Sequence, residues 1–315
     1  MDPQNNPIRR FRGSLLLLIL ALLGCHPVII EPSMVPAEMV PVHTVDGFDF
    51  SLRRYPAQGP VVLLVHGLAT NHYCFDYAES ISLAFTLQQA GFDVWVTDLR
   101  GDEGVKSPYG WADKTYIFDD HLQFDVPAIL DRVLEESGQS SLYWVGHSMG
   151  GMLLMGALEG QSHRIRGGVM LSSALSFAEP STVGKLAKWI RWSAASPPIP
   201  ITWMGKRARW MGGKNPVLPI FAVYENLPDP LIGGLLKYAL ADVPTSVAHQ
   251  TSSWLRSGNL TLASGEQIWT QTTTPLLMIG AEKDKIITPA DAAATCAMYA
   301  NCTYSEVQGF GHIDV

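Results

Sequence analysis

A serine placed between two glycines, directly after an apolar run, is the feature that most constrains how this chain can fold. The motif Gly-His-Ser-Met-Gly occupies residues 146–150, with Ser148 at its centre, and follows the apolar residues 142–145. Residues 149–158 are rich in Met, Leu, Ala and Gly and contain no proline, which favours a helix. We predict a strand, a strained turn that exposes Ser148, and a helix beginning at Met149, whose N–H can stabilise an oxyanion. A chain with 28 glycines can also contain this motif by chance, so the surrounding sequence decides its meaning.

Apolar runs of strand length alternate with helical stretches through most of the chain. This alternation predicts the α/β fold class, a mostly parallel sheet covered by helices on both faces. With 315 residues, 47% of them hydrophobic, the chain can bury a large core. The predicted strands are 61–65, 94–97, 142–145, 168–171, 276–279 and 303–307, and the predicted helices are 77–90, 126–136, 149–158 and 290–299. Before them, a two-residue turn at Asp46 and Gly47 predicts a hairpin of residues 42–45 and 48–52.

One long interval, residues 176–274, interrupts the alternation. It has no clear strand, yet it carries six of the nine tryptophans. A loop of this length without structure is rare in a compact domain, so we predict a helical subdomain inserted between two strands. Its tryptophans could simply pack a core, or they could form the inner face of a lid that contacts an apolar substrate.

The N-terminus has the pattern of a targeting segment. Arg9, Arg10 and Arg12 precede the apolar stretch 15–23, which is short for a membrane span. The stretch ends in Leu-Leu-Gly-Cys, which resembles a bacterial lipobox, so Cys25 is expected to be lipidated and to anchor the protein in the bacterial cell envelope. An ordinary signal peptide or an uncleaved anchor is the alternative. The predicted units are a signal (1–25), an extended tether (26–41), a first core segment (42–175), the insert (176–274) and a second core segment (275–315).

Charge excludes one class of partner. The net charge is −7, and the main basic cluster outside the N-terminus is Lys206, Arg207 and Arg209, which argues against nucleic-acid binding. This cluster lies between Trp203 and Trp210, so a solvated or membrane-facing surface is the expected meaning.

The cysteines indicate a disulfide rather than a metal site. Cys296 and Cys302 are close in sequence, and an exported protein meets an oxidising compartment, so a local disulfide is expected, with two free thiols as the alternative. Cys74 is expected to remain as a buried thiol. The spacing matches no zinc site, and no metal or cofactor is expected.

A serine nucleophile needs a histidine to take its proton and a carboxylate to orient that histidine. The carboxylate we predict is Asp284, which follows the apolar strand 276–279 where a site would form. Glu282 competes with it, and Asp291 is a weaker candidate because it falls in the next helix.

The predicted base is His312, shortly after the last strand and preceded by two glycines. His147 is expected to point away from the serine, and the other histidines to be surface or core residues. The second oxyanion N–H is assigned to Leu68, which follows the strand 61–65, and His66 is expected to be structural.

Between residues 61 and 312 the chain resembles an α/β-hydrolase, and more narrowly the acid-lipase branch that includes gastric and lysosomal lipases. The similar stretches are His-Gly-Leu at 66–68, residues 93–95 leading to Arg-Gly at 100–101, residues 118–128, His-Ile-Asp at 312–314 and, more weakly, 249–258. The resemblance implies the triad Ser148, Asp284 and His312, and hydrolysis of lipid esters with an apolar acyl part, without a cofactor. An acyltransferase or thioesterase with the same triad, or a non-catalytic lipid-binding protein, is the alternative.

The sequence departs from the acid lipases at two places. Met149 stands where they usually have Gln, as in monoacylglycerol lipases and general esterases. The sequence ends at Val315, three residues after His312, where a closing helix would be expected. How His312 is held is therefore a question for the structure.

Overall fold

A computed structural model of the chain describes residues 28–102, 104–108, 116–177, 197–268 and 271–315. At its centre is one eight-stranded sheet in the order β1-β2-β4-β3-β5-β6-β7-β8. The first two strands and β4 are antiparallel neighbours, and the strands from β4 to β8 run parallel. The strands are β1 Glu38–His43, β2 Asp49–Tyr55, β3 Val61–Val65, β4 Asp93–Thr97, β5 Leu142–His147, β6 Ile165–Leu171, β7 Leu276–Ala281 and β8 Cys302–Val307.

Helices surround this sheet. Those of seven or more residues within the described ranges are α1 Leu83–Gln89, α2 Val126–Ser137, α3 Met149–Gln161, α4 Ile201–Ala208, α5 Asp229–Tyr238, α6 Thr245–Ser257 and α7 Pro289–Ala297. Shorter helical segments are Tyr73–Asp76, Glu79–Ile81, Phe118–Asp120, His121–Asp125, Ser162–Arg164, Arg209–Lys214, Leu218–Phe221 and Tyr224–Asn226.

Both faces of the sheet are covered, as the sequence predicts. Alternate residues of β3 point to opposite faces. Leu63 packs in the larger core cluster with residues of α2 and α3, whereas Leu64 packs in a second cluster with Ala84 of α1. All six predicted strands are present, and five of them are longer than predicted by one to three residues. The α/β fold class is confirmed.

The helix predicted over residues 77–90 is wrong. The segment contains the short turn Glu79–Ile81 and then α1, with Ser82 between them in an extended conformation. Its hydroxyl accepts the N–H of Phe85 and donates to the main-chain oxygen of Phe75. Serine in this position caps a new helix, so the apolar spacing alone overestimated the helix length.

The N-terminal hairpin begins earlier and turns more widely than predicted. The N–H of Thr44 donates to the main-chain oxygen of Phe48, so three residues rather than two form the turn, and Gly47 adopts a φ of +92°. Because β1 starts at Glu38, the predicted tether ends there rather than at residue 41. Cys25 and the signal lie outside the described residues.

The described part of the tether also contacts the body of the protein. The N–H of Ile30 donates to the main-chain oxygen of Pro230 in α5, and the N–H of Ser33 donates to that of Tyr77. Residues 28–37 are therefore bound along the domain rather than forming a free extended spacer.

The interval between β6 and β7 is a helical insert in its described parts, with α4, α5 and α6 and no strand of the sheet. Of its tryptophans, Trp254 is buried in the main core against Phe118, as the packing alternative requires. Trp203 and Trp210 are 58% and 47% exposed. Trp189, Trp192 and Trp269 lie outside the described residues. Within the described ranges, no helix has the length and apolar character needed to cross a bilayer.

The expected disulfide is present between Cys296, in α7, and Cys302, at the start of β8. Cys74 has a free thiol that is partly buried against the second core cluster, and burial raises its pKa to about 12.

Candidate active site

Ser148 occupies the sharp turn between β5 and α3. Its φ of +51° and ψ of −115° are strained for a residue with a side chain. The N–H of Ser148 donates to the main-chain oxygen of Leu171 in β6, which holds the turn against the sheet. A Cβ atom on Gly146 would lie 2.3 Å from the main chain of Gly150, and one on Gly150 would lie 2.0 Å from the oxygen of Val65. The predicted strand, turn and helix are confirmed, and both glycines are needed for this close approach.

Ser148, His312 and Asp284 form a continuous chain of hydrogen bonds. Oγ of Ser148 lies 3.1 Å from Nε2 of His312, and Nδ1 of His312 lies 2.8 Å from Oδ2 of Asp284. The histidine and the aspartate are buried, while the serine is partly exposed. In this arrangement the histidine can take the serine proton while the carboxylate fixes its tautomer.

Asp284 is held in place by the loop that follows β7. Its Oδ1 accepts the N–H groups of Ile286 and Ile287, at 2.8 and 3.0 Å. The competing carboxylates are used elsewhere, because Glu282 accepts the N–H of Gly309 and Asp291 accepts the hydroxyl of Thr288. Of the three candidates from the sequence, Asp284 is the one that contacts His312.

The loop after β3 passes directly against the nucleophile turn. A Cβ atom on Gly67 would lie 2.9 Å from Cβ of Ser148, so Leu68 follows a residue in contact with the serine. Met149 is the first residue of α3, where helix N–H groups are unpaired and can receive negative charge. These are the positions from which two N–H groups could bind an oxyanion.

His66 supports this loop, in agreement with its predicted structural role. The ring is buried, Nδ1 donates to the main-chain oxygen of Gly67 at 2.8 Å, and Nε2 lies 2.9 Å from Oδ2 of Asp102. Burial opposes the charged ring, but the Asp102 carboxylate outweighs it and raises the pKa of His66.

His66, Asp98 and Asp102 are close enough together to be considered as a metal site. Their ligand atoms lie within 4.8 Å of one another, the one such cluster in the described part of the chain. Protein groups already engage the carboxylates, however. Asp98 accepts from Arg53 and from the N–H of His72, and Asp102 accepts the N–H of Leu99. We interpret the cluster as structural support for the loop after β3.

His147 was expected only to point away from the serine, and no role was assigned to it. In the structure it contacts the predicted base, His312. Its Nε2 donates to the main-chain oxygen of His312 at 2.8 Å, and the two ring centroids are 4.9 Å apart. Burial, together with the neighbouring His312, lowers the pKa of His147 to about 3, so the ring is neutral. The only sequence signal for this role was its position beside Ser148.

The helical insert holds the segment that follows His312. The N–H of Ile313 donates to the main-chain oxygen of Phe221 at 3.0 Å. Asp314 accepts the N–H of Val223 and the side-chain amide of Asn226. The insert and His147 therefore both restrain the segment that carries His312.

Comparison with known proteins agrees with this geometry. The family model described as alpha/beta hydrolase fold matches residues 60–315, from the start of β3 through Ser148, Asp284 and His312. The chain belongs to the α/β-hydrolase family.

Several animal lipases are similar to this chain in sequence. Lipase lipl-3 of Caenorhabditis elegans is 34% identical over 176 residues, which cover 46% of this chain and 43% of that protein. The gastric triacylglycerol lipase of Bos taurus is 36% identical over 135 residues, covering 36% and 33%. The chain thus spans less than half the length of these relatives.

Solved structures of hydrolases share the fold. An esterase from Exiguobacterium antarcticum has a TM-score of 0.58 at 17% identity, covering 87% of this chain and 92% of that one. An enol-lactonase from Burkholderia xenovorans has a TM-score of 0.59 at 17% identity, covering 84% and 90%. At 17% identity, these similarities show that the chain shares the fold of the two enzymes, and they show no more than that.

Proposed function

We propose that the chain is a serine hydrolase that cleaves carboxylic esters, and lipid esters in particular, through an acyl-enzyme. The observation that carries the proposal is the hydrogen-bonded chain from Ser148 through His312 to Asp284. The lipase names of the curated relatives support the choice of ester as substrate.

The first half of the proposed reaction forms the acyl-enzyme. Oγ of Ser148 attacks the ester carbonyl carbon while Nε2 of His312 takes the hydroxyl proton, and Asp284 stabilises the imidazolium through Nδ1–H. The N–H groups of Leu68 and Met149 receive the oxyanion; losing one such donor typically costs about 10²–10³ in rate. His312 then protonates the leaving alcohol, and the acyl group remains on Ser148.

The second half returns the enzyme to its starting state. A water molecule gives a proton to Nε2 of His312 and attacks the acyl carbon. The tetrahedral intermediate collapses as His312 returns the proton to Oγ of Ser148, which releases the carboxylic acid. No cofactor takes part in either half of this scheme.

An ester panel tests the proposal. The parent should hydrolyse p-nitrophenyl esters of increasing chain length, with a preference for longer acyl groups, and a fluorophosphonate should label Ser148. Ser148→Ala should abolish both ester hydrolysis and fluorophosphonate labelling. The control Ser162→Ala, at an exposed serine, should change neither. Hydrolysis by Ser148→Ala at the parent rate would falsify the proposal, and acyl transfer to a competing alcohol in preference to water would reassign it as an acyltransferase.

We also propose that the protein works at a bacterial envelope membrane, anchored through lipidated Cys25. The insert supports a membrane location, because residues 201–224 carry Lys206, Arg207, Arg209 and Lys214 and no acidic residue. Trp203 and Trp210 are exposed within the same stretch. Exposed tryptophan beside basic side chains is suited to an anionic lipid interface.

Metabolic labelling with a radioactive fatty acid tests the anchor in a bacterial host. The parent chain should incorporate label and fractionate with membranes, and Cys25→Ser should incorporate none. The matched control is Cys74→Ser, which should be labelled like the parent. Equal labelling of Cys25→Ser and the parent would contradict the anchor.

A further inference from the structure

The contacts after His312 join two parts of the molecule that are distant in sequence. On one side is the segment 309–314, which carries His312. On the other is a strip of the insert, residues 221–226, which runs from the last residue of the short helix Leu218–Phe221 through the short helix Tyr224–Asn226. The two segments are packed closely, since a Cβ atom on Gly311 would lie 3.1 Å from Cα of Ala222.

Asp314 is the centre of this contact. Its Oδ2 accepts the side-chain amide of Asn226 at 2.7 Å and the N–H of Val223 at 3.3 Å. Its Oδ1 accepts the N–H of Gly311 at 2.9 Å. One carboxylate therefore binds the insert and the residue that directly precedes His312. Hydrogen bonds to a charged acceptor are stronger than neutral ones, and this carboxylate accepts three of them.

Two further bonds complete the connection. Asn226 also donates to the main-chain oxygen of Gly309 at 3.0 Å, and the N–H of Ile313 donates to that of Phe221. From the sheet side, the same segment is held by the N–H of Lys283, which donates to the oxygen of Phe310, and by His147. The segment that carries His312 is thus held by hydrogen bonds from the core on one side and from the insert on the other.

The position of His312 leaves little room for movement. Its Nε2 is 3.1 Å from Oγ of Ser148, near the long end of hydrogen-bond reach. A shift of the segment by a fraction of an ångström would weaken proton transfer, because a misplaced base loses rate steeply.

We propose that the insert, beyond any effect on substrate access, positions the base of the reaction through the pair Asn226 and Asp314. The inference rests on the proposed serine hydrolase function. Neither residue touches substrate; both are positioning residues that act through the backbone on either side of His312.

Single substitutions of the two residues test the pair on a short, soluble p-nitrophenyl ester. Asn226→Asp faces two carboxylates toward each other, and Asp314→Asn removes the charged acceptor, so each should lower kcat about tenfold and change KM by less than about twofold. Asn226→Gln keeps an amide that can donate to the Asp314 carboxylate, so it should retain more of the parent kcat than Asn226→Asp. Asn259→Ala is the matched control in the insert, because its side chain bonds locally to Ser257, and it should leave kcat unchanged.

The readouts separate this inference from the function on which it rests. Thermal unfolding of each variant checks that the chain remains folded, and the rate of fluorophosphonate labelling reports the reactivity of Ser148 without substrate binding. If the parent neither labels nor hydrolyses, the proposed function fails. If the parent is active but the folded Asn226→Asp and Asp314→Asn variants keep its kcat, or change only KM, the positioning role is refuted while the function stands.

Discussion

Nε2 of His147 donates a hydrogen bond to the main-chain oxygen of His312, at 2.8 Å. The residue before the nucleophile therefore supports the backbone of the residue that would serve as its base. Both histidines are buried, with 4% and 5% of their surfaces exposed, so water cannot readily replace this bond.

Loss of this bond should slow the reaction. We expect His147→Ala to lower kcat on a short ester by about five- to tenfold, the worth of roughly 1 kcal/mol in positioning. Gln can place an amide N–H near the position of Nε2, so His147→Gln should retain most of the rate. Steady-state kinetics of the three proteins are the measurement, and equal rates for the Ala variant and the parent would show that His312 does not need this support.

The neutrality of His147 predicts a stability that depends on pH. Burial lowers its pKa in the folded protein from 6.5 to about 3, with the neighbouring His312 adding to the effect. Between about pH 3 and pH 6.5, His147 therefore binds a proton in the unfolded chain but remains neutral in the folded chain. This site makes the free energy of unfolding fall as the pH decreases from about 6.5 toward 3, by about 1 kcal/mol per pH unit.

Urea unfolding at several pH values checks this dependence. His147→Gln should lose less stability than the parent between pH 6.5 and 4, while His163→Gln, a change at an exposed histidine, should follow the parent curve. Parallel curves for the parent and His147→Gln would mean that His147 takes up its proton equally in both states.

The nucleophile turn predicts opposite results for two glycines of α3. A Cβ atom on Gly150 would meet the main-chain oxygen of Val65 at 2.0 Å, so Gly150→Ala must move the helix away from β3. We expect a destabilisation of about 3 kcal/mol or more and loss of ester hydrolysis. A Cβ atom on Gly160 meets nothing within 4 Å, so Gly160→Ala should raise the free energy of unfolding by up to about 1 kcal/mol. Chemical denaturation and activity distinguish the two, and a tolerated Gly150→Ala would contradict the close approach.

The disulfide between Cys296 and Cys302 should stabilise the edge of the sheet. Replacing both cysteines with serine should lower the free energy of unfolding by about 2 kcal/mol, as expected for closing a short loop. A reductant should lower the unfolding midpoint of the parent and leave that of the double variant unchanged. If the reductant has no effect on the parent, the bond contributes no stability.

The parts of the fold that the sequence predicted well are those governed by local pattern. The strand β3 is a run of five apolar residues, a length and composition typical of a strand buried on both faces, and its bounds were predicted correctly. Ser148 was predicted from its motif and the strand before it, and Asp284 was preferred over Glu282 and Asp291 because sites form where parallel strands end. The helix over 77–90 failed because a single serine, Ser82, formed bonds that hydropathy does not record.

By itself, the sequence determined the α/β class and the turn that presents Ser148, and it favoured His312 and Asp284 as the partners of that serine, because apolar runs, glycines and strand ends act over a few residues. Only the tertiary structure decided what holds His312. Asn226 and Asp314 are 88 positions apart, and their contact depends on the path of the whole insert rather than on either local sequence. The same holds for His147, whose neighbour in space, His312, is 165 positions away.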